Sequence, residues 1–171
     1  MRISPKRLIV NLKYANLKGD VLDISSDNSG IIYSLIKSNN LEKKNINVDY
    51  FSDNNQHLYD SAAIFFTLGS LGKLESQELI KDVYKSVKED GEIYIWDRIK
   101  AKGDIVHDNV VAKMPNGKEK YFNVMNLNPF YEFNIDKCQS LLNKYFKIEE
   151  KIIWDKVIYI KAIKRNNLNI L

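Results

Sequence analysis

Cysteine is almost absent from the 171 residues. Cys138 stands alone, which excludes a disulfide framework and a cysteine-built zinc site. Its two histidines lie far apart in the sequence, so no transition-metal set is expected. Three prolines and seven glycines are too few for a collagen-like chain or a linker-rich array. No apolar run approaches the roughly 18 residues of a membrane helix. The basic start, Met1-Arg2-Ile3-Ser4-Pro5-Lys6-Arg7, has no signal-peptide core behind it. Neither charge sign dominates, with 26 Lys and Arg against 22 Asp and Glu for a net charge of +4. The lysines interleave with acids, as in Glu42-Lys43-Lys44 and Lys118-Glu119-Lys120. Solvation therefore explains the basic balance better than a nucleic-acid partner does. A cytoplasmic protein without membrane or nucleic-acid partners is the expectation.

What is present is a hydrophobic share of 44% and an aromatic share of 11%, enough to close one core. No repeat or linker divides the chain, so residues 1–171 read as one domain with a frayed tail at 166–171.

The order of elements alternates. Ser4-Pro5 has the chemistry of a helix start, and Leu8, Ile9, Leu12 and Ala15 predict a short helix ending near Lys18-Gly19. Asp20–Ile24 predicts a strand, Ser25–Gly30 a polar loop, and Ile31, Ile32, Leu35 and Ile36 a helix from Ser29 to Ser38. Ile46–Phe51 reads as a strand. Ser61–Leu68 is nearly continuously apolar, as in a strand buried on both faces of a parallel sheet. An amphipathic helix follows over Glu75–Lys88, with Asp90-Gly91 as its left-handed stop, and Glu92–Asp97 is the next strand. Pro115-Asn116-Gly117 between two alternating runs predicts a β-hairpin insertion over 105–124. Asn134–Tyr145 reads as a helix, and Phe146–Ile153 and Lys156–Ile163 as a closing antiparallel pair. Such an order belongs to the α/β class: a Rossmann-like, mainly parallel sheet whose last strand is antiparallel, plus a hairpin insertion.

Three segments and the closing hairpin resemble the class I S-adenosylmethionine-dependent methyltransferase family. Val21-Leu22-Asp23-Ile24 resembles its first strand and cofactor-motif acid. Tyr59-Asp60 with Ser61–Leu68 resembles its fourth strand. Val87-Lys88-Glu89-Asp90-Gly91-Glu92-Ile93-Tyr94-Ile95 resembles the segment leading into its fifth strand, and Phe146–Glu149 with Tyr159–Ala162 its terminal hairpin. The resemblance implies S-adenosylmethionine as cofactor, with Asp23, Ser25, Asp27, Ser29, Gly30, Asp49 and Thr67 as the residues around it. Here the loop departs from the family pattern. Ser25, Asp27 and Ser29 stand at the usual glycine positions, and their side chains take space that the ligand would need.

Asp49 is placed to hold a ribose diol, but only ten residues separate it from Asp60. The expected sheet is therefore trimmed, with order 2-1-4-5-7-6 in family terms and the third strand missing. In the alternative, Ile46–Phe51 is the third strand, the second is lost, and Asp53 stands near the adenine.

Among candidate catalytic groups, Asp97 ends a strand and reads as a base, a substrate-orienting group or a cap. His107 beside Asp108 has the composition of a general-base pair, with a plain surface histidine as the alternative. Asn128-Pro129-Phe130-Tyr131 reads, with Phe133, as an anchor that pins the insertion to the core. Two functions remain open: methyl transfer to an unidentified small-molecule or protein acceptor, or a non-catalytic methyltransferase-fold interaction domain. An uncovered sheet edge would allow a homo-oligomer. A dinucleotide-binding protein is disfavoured because no G-x-G-x-x-G follows the first strand.

Overall fold

Leu8, Ile9 and Val10 are buried, exposed and buried in turn, the period of a strand rather than a helix, and Lys6–Asn11 forms β1. The expected N-terminal helix is thereby corrected. The apolar spacing there suited both periods, and pairing with a distant strand decided between them. The computed structural model describes residues 4–25, 30–39, 47–52 and 57–166. After β1 come β2 (Val21–Ser25), α1 (Ile31–Asn39), β3 (Val48–Tyr50) and β4 (Tyr59–Phe65). A short 3-10 turn over Leu68–Ser70 leads into α2 (Lys73–Ser86) and β5 (Val87–Arg98). The chain closes with β6 (Val106–Lys113), β7 (Glu119–Asn126), α3 (Ile135–Leu142), β8 (Phe146–Trp154) and β9 (Val157–Lys164).

Six strands form the main sheet in the order β3-β2-β4-β5-β9-β8. The first four run parallel, and β9 is antiparallel to both its neighbours. Val48–Tyr50 pairs directly with β2. Among the described residues no strand lies beyond it. The insertion is the expected hairpin, with Gly117 at φ 81 in its turn. Yet it does not stand alone: β6 also pairs in parallel with β1, making a second sheet of order β1-β6-β7.

The main sheet is covered on both faces. On one side α1 (Ile32, Leu35) and the inner face of the small sheet (Val10, Val110, Phe122) pack against Phe65, Trp96 and Tyr159. On the other, α2 (Ile80, Val83) and α3 (Cys138, Leu142) pack against Leu22, Ile64, Ile95 and Ile160. α2 stops at Ser86, earlier than expected, and Asp90 rather than Gly91 adopts the left-handed conformation, at φ 58. Gly91 is needed for space, since a Cβ there would lie 2.8 Å from the Lys88 carbonyl oxygen. Asn134, expected within the helix, is the cap of α3 and accepts from the Lys137 N–H at 3.0 Å.

Candidate functional site

In an open α/β sheet the ligand crevice lies beyond the carboxyl ends of the strands, where the strand order reverses. Here the reversal falls at β2, flanked by β3 on one side and β4 on the other. Asp23 is buried there, and its Oδ1 accepts from the Ser25 hydroxyl. The Thr67 hydroxyl donates to the Ile24 carbonyl at 3.1 Å, tying the end of β4 to the end of β2. Gly30, at φ 69, brings the chain into α1 in a conformation that favours glycine, and among the described residues nothing lies within 4 Å of where its Cβ would be. Asp27 and Ser29 lie outside the described residues, as does Asp53.

Asp97 stands near the carboxyl end of β5. Its Oδ2 accepts the Gly69 N–H at 2.8 Å and its Oδ1 the Arg98 N–H at 2.7 Å. Burial pushes its carboxyl up to about 6, against the lowering effect of N–H groups at Gly69, Arg98, Leu68 and Thr67. The geometry is that of a cap on the preceding Leu68–Ser70 turn, whereas the sequence position suggested a cap for the segment that follows. A cavity of about 30 Å³ beside it, bordered by Ser70, Lys100 and Asn126, has the size of a water site.

Two residues singled out in the sequence stand apart from this group. Asp49 is level with Leu22, short of the strand end, and its Oδ2 accepts from the Tyr59 hydroxyl at 2.9 Å. His57 Nε2 lies 3.3 Å from the same oxygen. His107 is separated from Asp108 by strand alternation: Val106 and Asp108 are buried, while His107 between them is partly exposed on the other face. The Asp108 carboxylate is instead engaged by Arg98, whose Nε donates at 2.6 Å.

Asn126 and Lys100 escaped the sequence reading, and the Tyr131 anchor acts through a bond it did not foresee. The Asn126 amide donates to the Gly69 carbonyl at 3.1 Å, and the Tyr131 hydroxyl to the Leu68 carbonyl at 3.2 Å. The chain just past the insertion therefore holds the same turn that Asp97 caps. Lys100, 2% exposed, holds the 128–133 segment by donating to the Asn128 and Tyr131 carbonyls at 2.7 and 2.8 Å. Of the expected anchors, Phe133 is buried at 1% exposure while Phe130 is 82% exposed. Only the clustering of aromatics after Pro129 hinted at this anchoring. Among the described residues no helix is long and apolar enough to cross a membrane.

Comparison with protein-family models and with curated sequences finds no match. Solved structures do match. The PH0226 protein from Pyrococcus horikoshii OT3 is 14% identical, with 90% of this chain and 85% of that chain covered at a TM-score of 0.59. A putative S-adenosylmethionine-dependent methyltransferase from Listeria monocytogenes is 13% identical over 88% of this chain and 92% of that chain, with a TM-score of 0.54. The glycopeptide N-methyltransferase MtfA, complexed with S-adenosyl-L-methionine, is 9% identical over 89% and 90% of the two chains, with a TM-score of 0.50. At such identities the likeness establishes the fold. It is class I methyltransferase-like, a Rossmann-like α/β arrangement with a mostly parallel sheet.

Proposed function

We propose that the chain binds S-adenosylmethionine at the carboxyl ends of β2 and β4 and transfers its methyl group to an acceptor. The supporting observations are the buried Asp23 near the carboxyl end of β2 and the left-handed Gly30 at the start of α1, where no described residue lies within 4 Å of a Cβ position. A carboxylate in that place suits the cationic half of the cofactor, and the Ser25 hydroxyl holds it in position. The Thr67 bond to Ile24 keeps the two strand ends together under the ligand. When bound, the cofactor supplies a sulfonium methyl group for in-line displacement. The chain's part is mostly positioning. Asp97 serves as a positioning residue through the turn it caps, because both its oxygens already accept backbone N–H groups. Asp49, engaged with Tyr59 below the strand end, has no part in this reading.

Thermal unfolding with and without S-adenosylhomocysteine tests the proposal. A specific ligand at 100 times its dissociation constant stabilises by about 2.7 kcal/mol. A shift of that size supports the reading. None at millimolar ligand leaves a methyltransferase fold used as an interaction module.

A further inference from the structure

Lys118-Glu119-Lys120 reads as a balanced run in the sequence, but the strand separates its signs. Glu119 opens β7 and accepts from the Tyr121 hydroxyl at 2.6 Å, on the face that strand alternation gives to both. Lys118 and Lys120 turn the other way and border a cavity of about 520 Å³ between the β6–β7 turn and α1. Ser34 and Lys37, three residues apart on one stripe of α1, border it from the helix, and the buried Met114 adds apolar surface. Among the described residues no carboxylate borders this cavity. Lys18, Lys88, Lys137, Lys161 and Lys164 each pair with a carboxylate. Lys37, Lys118 and Lys120 have no ion pair among the described residues. A cavity of this volume is about one Debye length across at physiological ionic strength, so the three charges repel one another. The whole chain has a net charge of only +4. Three unopposed cations at one concave place are therefore a local concentration and not the average surface.

The neutral groups there add donors. Asn116 Oδ1 accepts the Lys118 N–H at 3.1 Å, which leaves its NH2 group to donate into the cavity it borders. The Ser34 hydroxyl can donate too, whereas Ser38 spends its proton on the Leu35 carbonyl at 2.9 Å. Ammonium and amide donors around a cavity without a carboxylate suit an anion rich in acceptor oxygens. A phosphate monoester brings at most about two negative charges, fewer than the three cations, and two linked phosphates match them. The volume is in the range of small-molecule sites. We infer that the cleft between α1 and the β6–β7 turn binds the diphosphate group of a small molecule. None of the residues assigned to the cofactor borders it, so this site stands independently of methyl transfer.

The experiment titrates the full chain with inorganic pyrophosphate at physiological ionic strength, following backbone amide shifts by NMR. It is repeated with sulfate and with a single-stranded oligothymidylate. Saturable shifts at Ser34, Lys37, Lys118 and Lys120 are expected with pyrophosphate, and binding of sulfate at least about tenfold weaker. Lys118 and Lys120 are exposed, so their substitution leaves the fold intact. Lys118→Gln and Lys120→Gln should each weaken pyrophosphate about two- to fivefold. Ser34→Glu sets a carboxylate on the border and should weaken it at least about tenfold. Lys147→Gln, at an exposed lysine of β8 outside the cavity, removes the same net charge and should leave the affinity unchanged. No saturable shift at millimolar pyrophosphate, or sulfate binding as tightly, would overturn the inference. So would equal losses in Lys147→Gln and Lys120→Gln, which would mean general charge attraction. Tighter binding of the oligonucleotide per phosphate would also overturn it, in favour of a nucleic-acid surface.

Discussion

The Asp97 carboxylate accepts the Gly69 N–H at 2.8 Å, joining the end of β5 to the turn after β4. A Cβ at Gly69 would lie 2.6 Å from the Asp97 Oδ1, so the two residues are fitted to each other. The carboxyl titrates near 6, above its ordinary 3.8, because burial disfavours its charge. The folded state therefore holds this proton more tightly than the unfolded one. The stabilisation is full below the ordinary value and is lost as pH rises through about 6. Relative to an Asp97→Asn variant, the wild type should lose up to about 3 kcal/mol between about pH 4 and about pH 7. Urea unfolding across that range measures it, and a difference that rises with pH would contradict this origin.

Arg98 and Asp108 form an ion pair at 2.6 Å with side chains only 10% and 3% exposed, linking the main sheet to the small one. Removing one partner strands a buried charge. Asp108→Ala should cost about 3–5 kcal/mol, whereas replacing both residues by apolar ones of similar volume should cost much less. A double-mutant cycle by denaturant unfolding would show the difference. Equal losses in the single and double variants would mean that the pair does not act as a unit.

Cofactor affinity should discriminate between two strand carboxylates. Asp49 is occupied by Tyr59 below the strand end, so Asp49→Asn is expected to change the affinity less than about threefold. Gly30→Val would put a branched side chain into the open approach at φ 69 and should reduce binding at least about tenfold. Calorimetric titration of both variants with S-adenosylhomocysteine checks the order. A larger loss for Asp49→Asn would return that residue to the site.

Cys138 is fully buried against α2 and the sheet, and burial pushes its thiol well up from the usual range. Alkylation by iodoacetamide should be slow in the native chain and should accelerate in parallel with the unfolded fraction as urea is added. Rapid native labelling would show that α3 opens locally.

Much of this architecture could be read from the residues. The apolar run at Ala62–Phe65, the helical spacing of Ile31, Ile32, Leu35 and Ile36, and the Asn116-Gly117 turn each carry a period or turn chemistry that local physics fixes. β1 could not be read, because Leu8-Ile9-Val10 suits either period and its partner strand lies about a hundred residues away in the chain. Of the candidate site, the places of Asp23, Thr67 and Asp97 at or just past strand ends could be read from the sequence. It was not legible where side chains choose among partners. Asp49 took Tyr59, and Asp108 took Arg98 rather than its neighbour His107. That last outcome follows from strand alternation, which places adjacent residues on opposite faces.

Binding at the β2 crevice is tested most directly by calorimetric titration of the intact chain with S-adenosylmethionine, alongside Asp23→Asn. Saturable one-to-one binding to the wild type, at least about tenfold weaker in the variant, is the predicted result, since a charge-assisted contact is removed. Heats indistinguishable from dilution at millimolar ligand, or equal affinity in the two proteins, would contradict it.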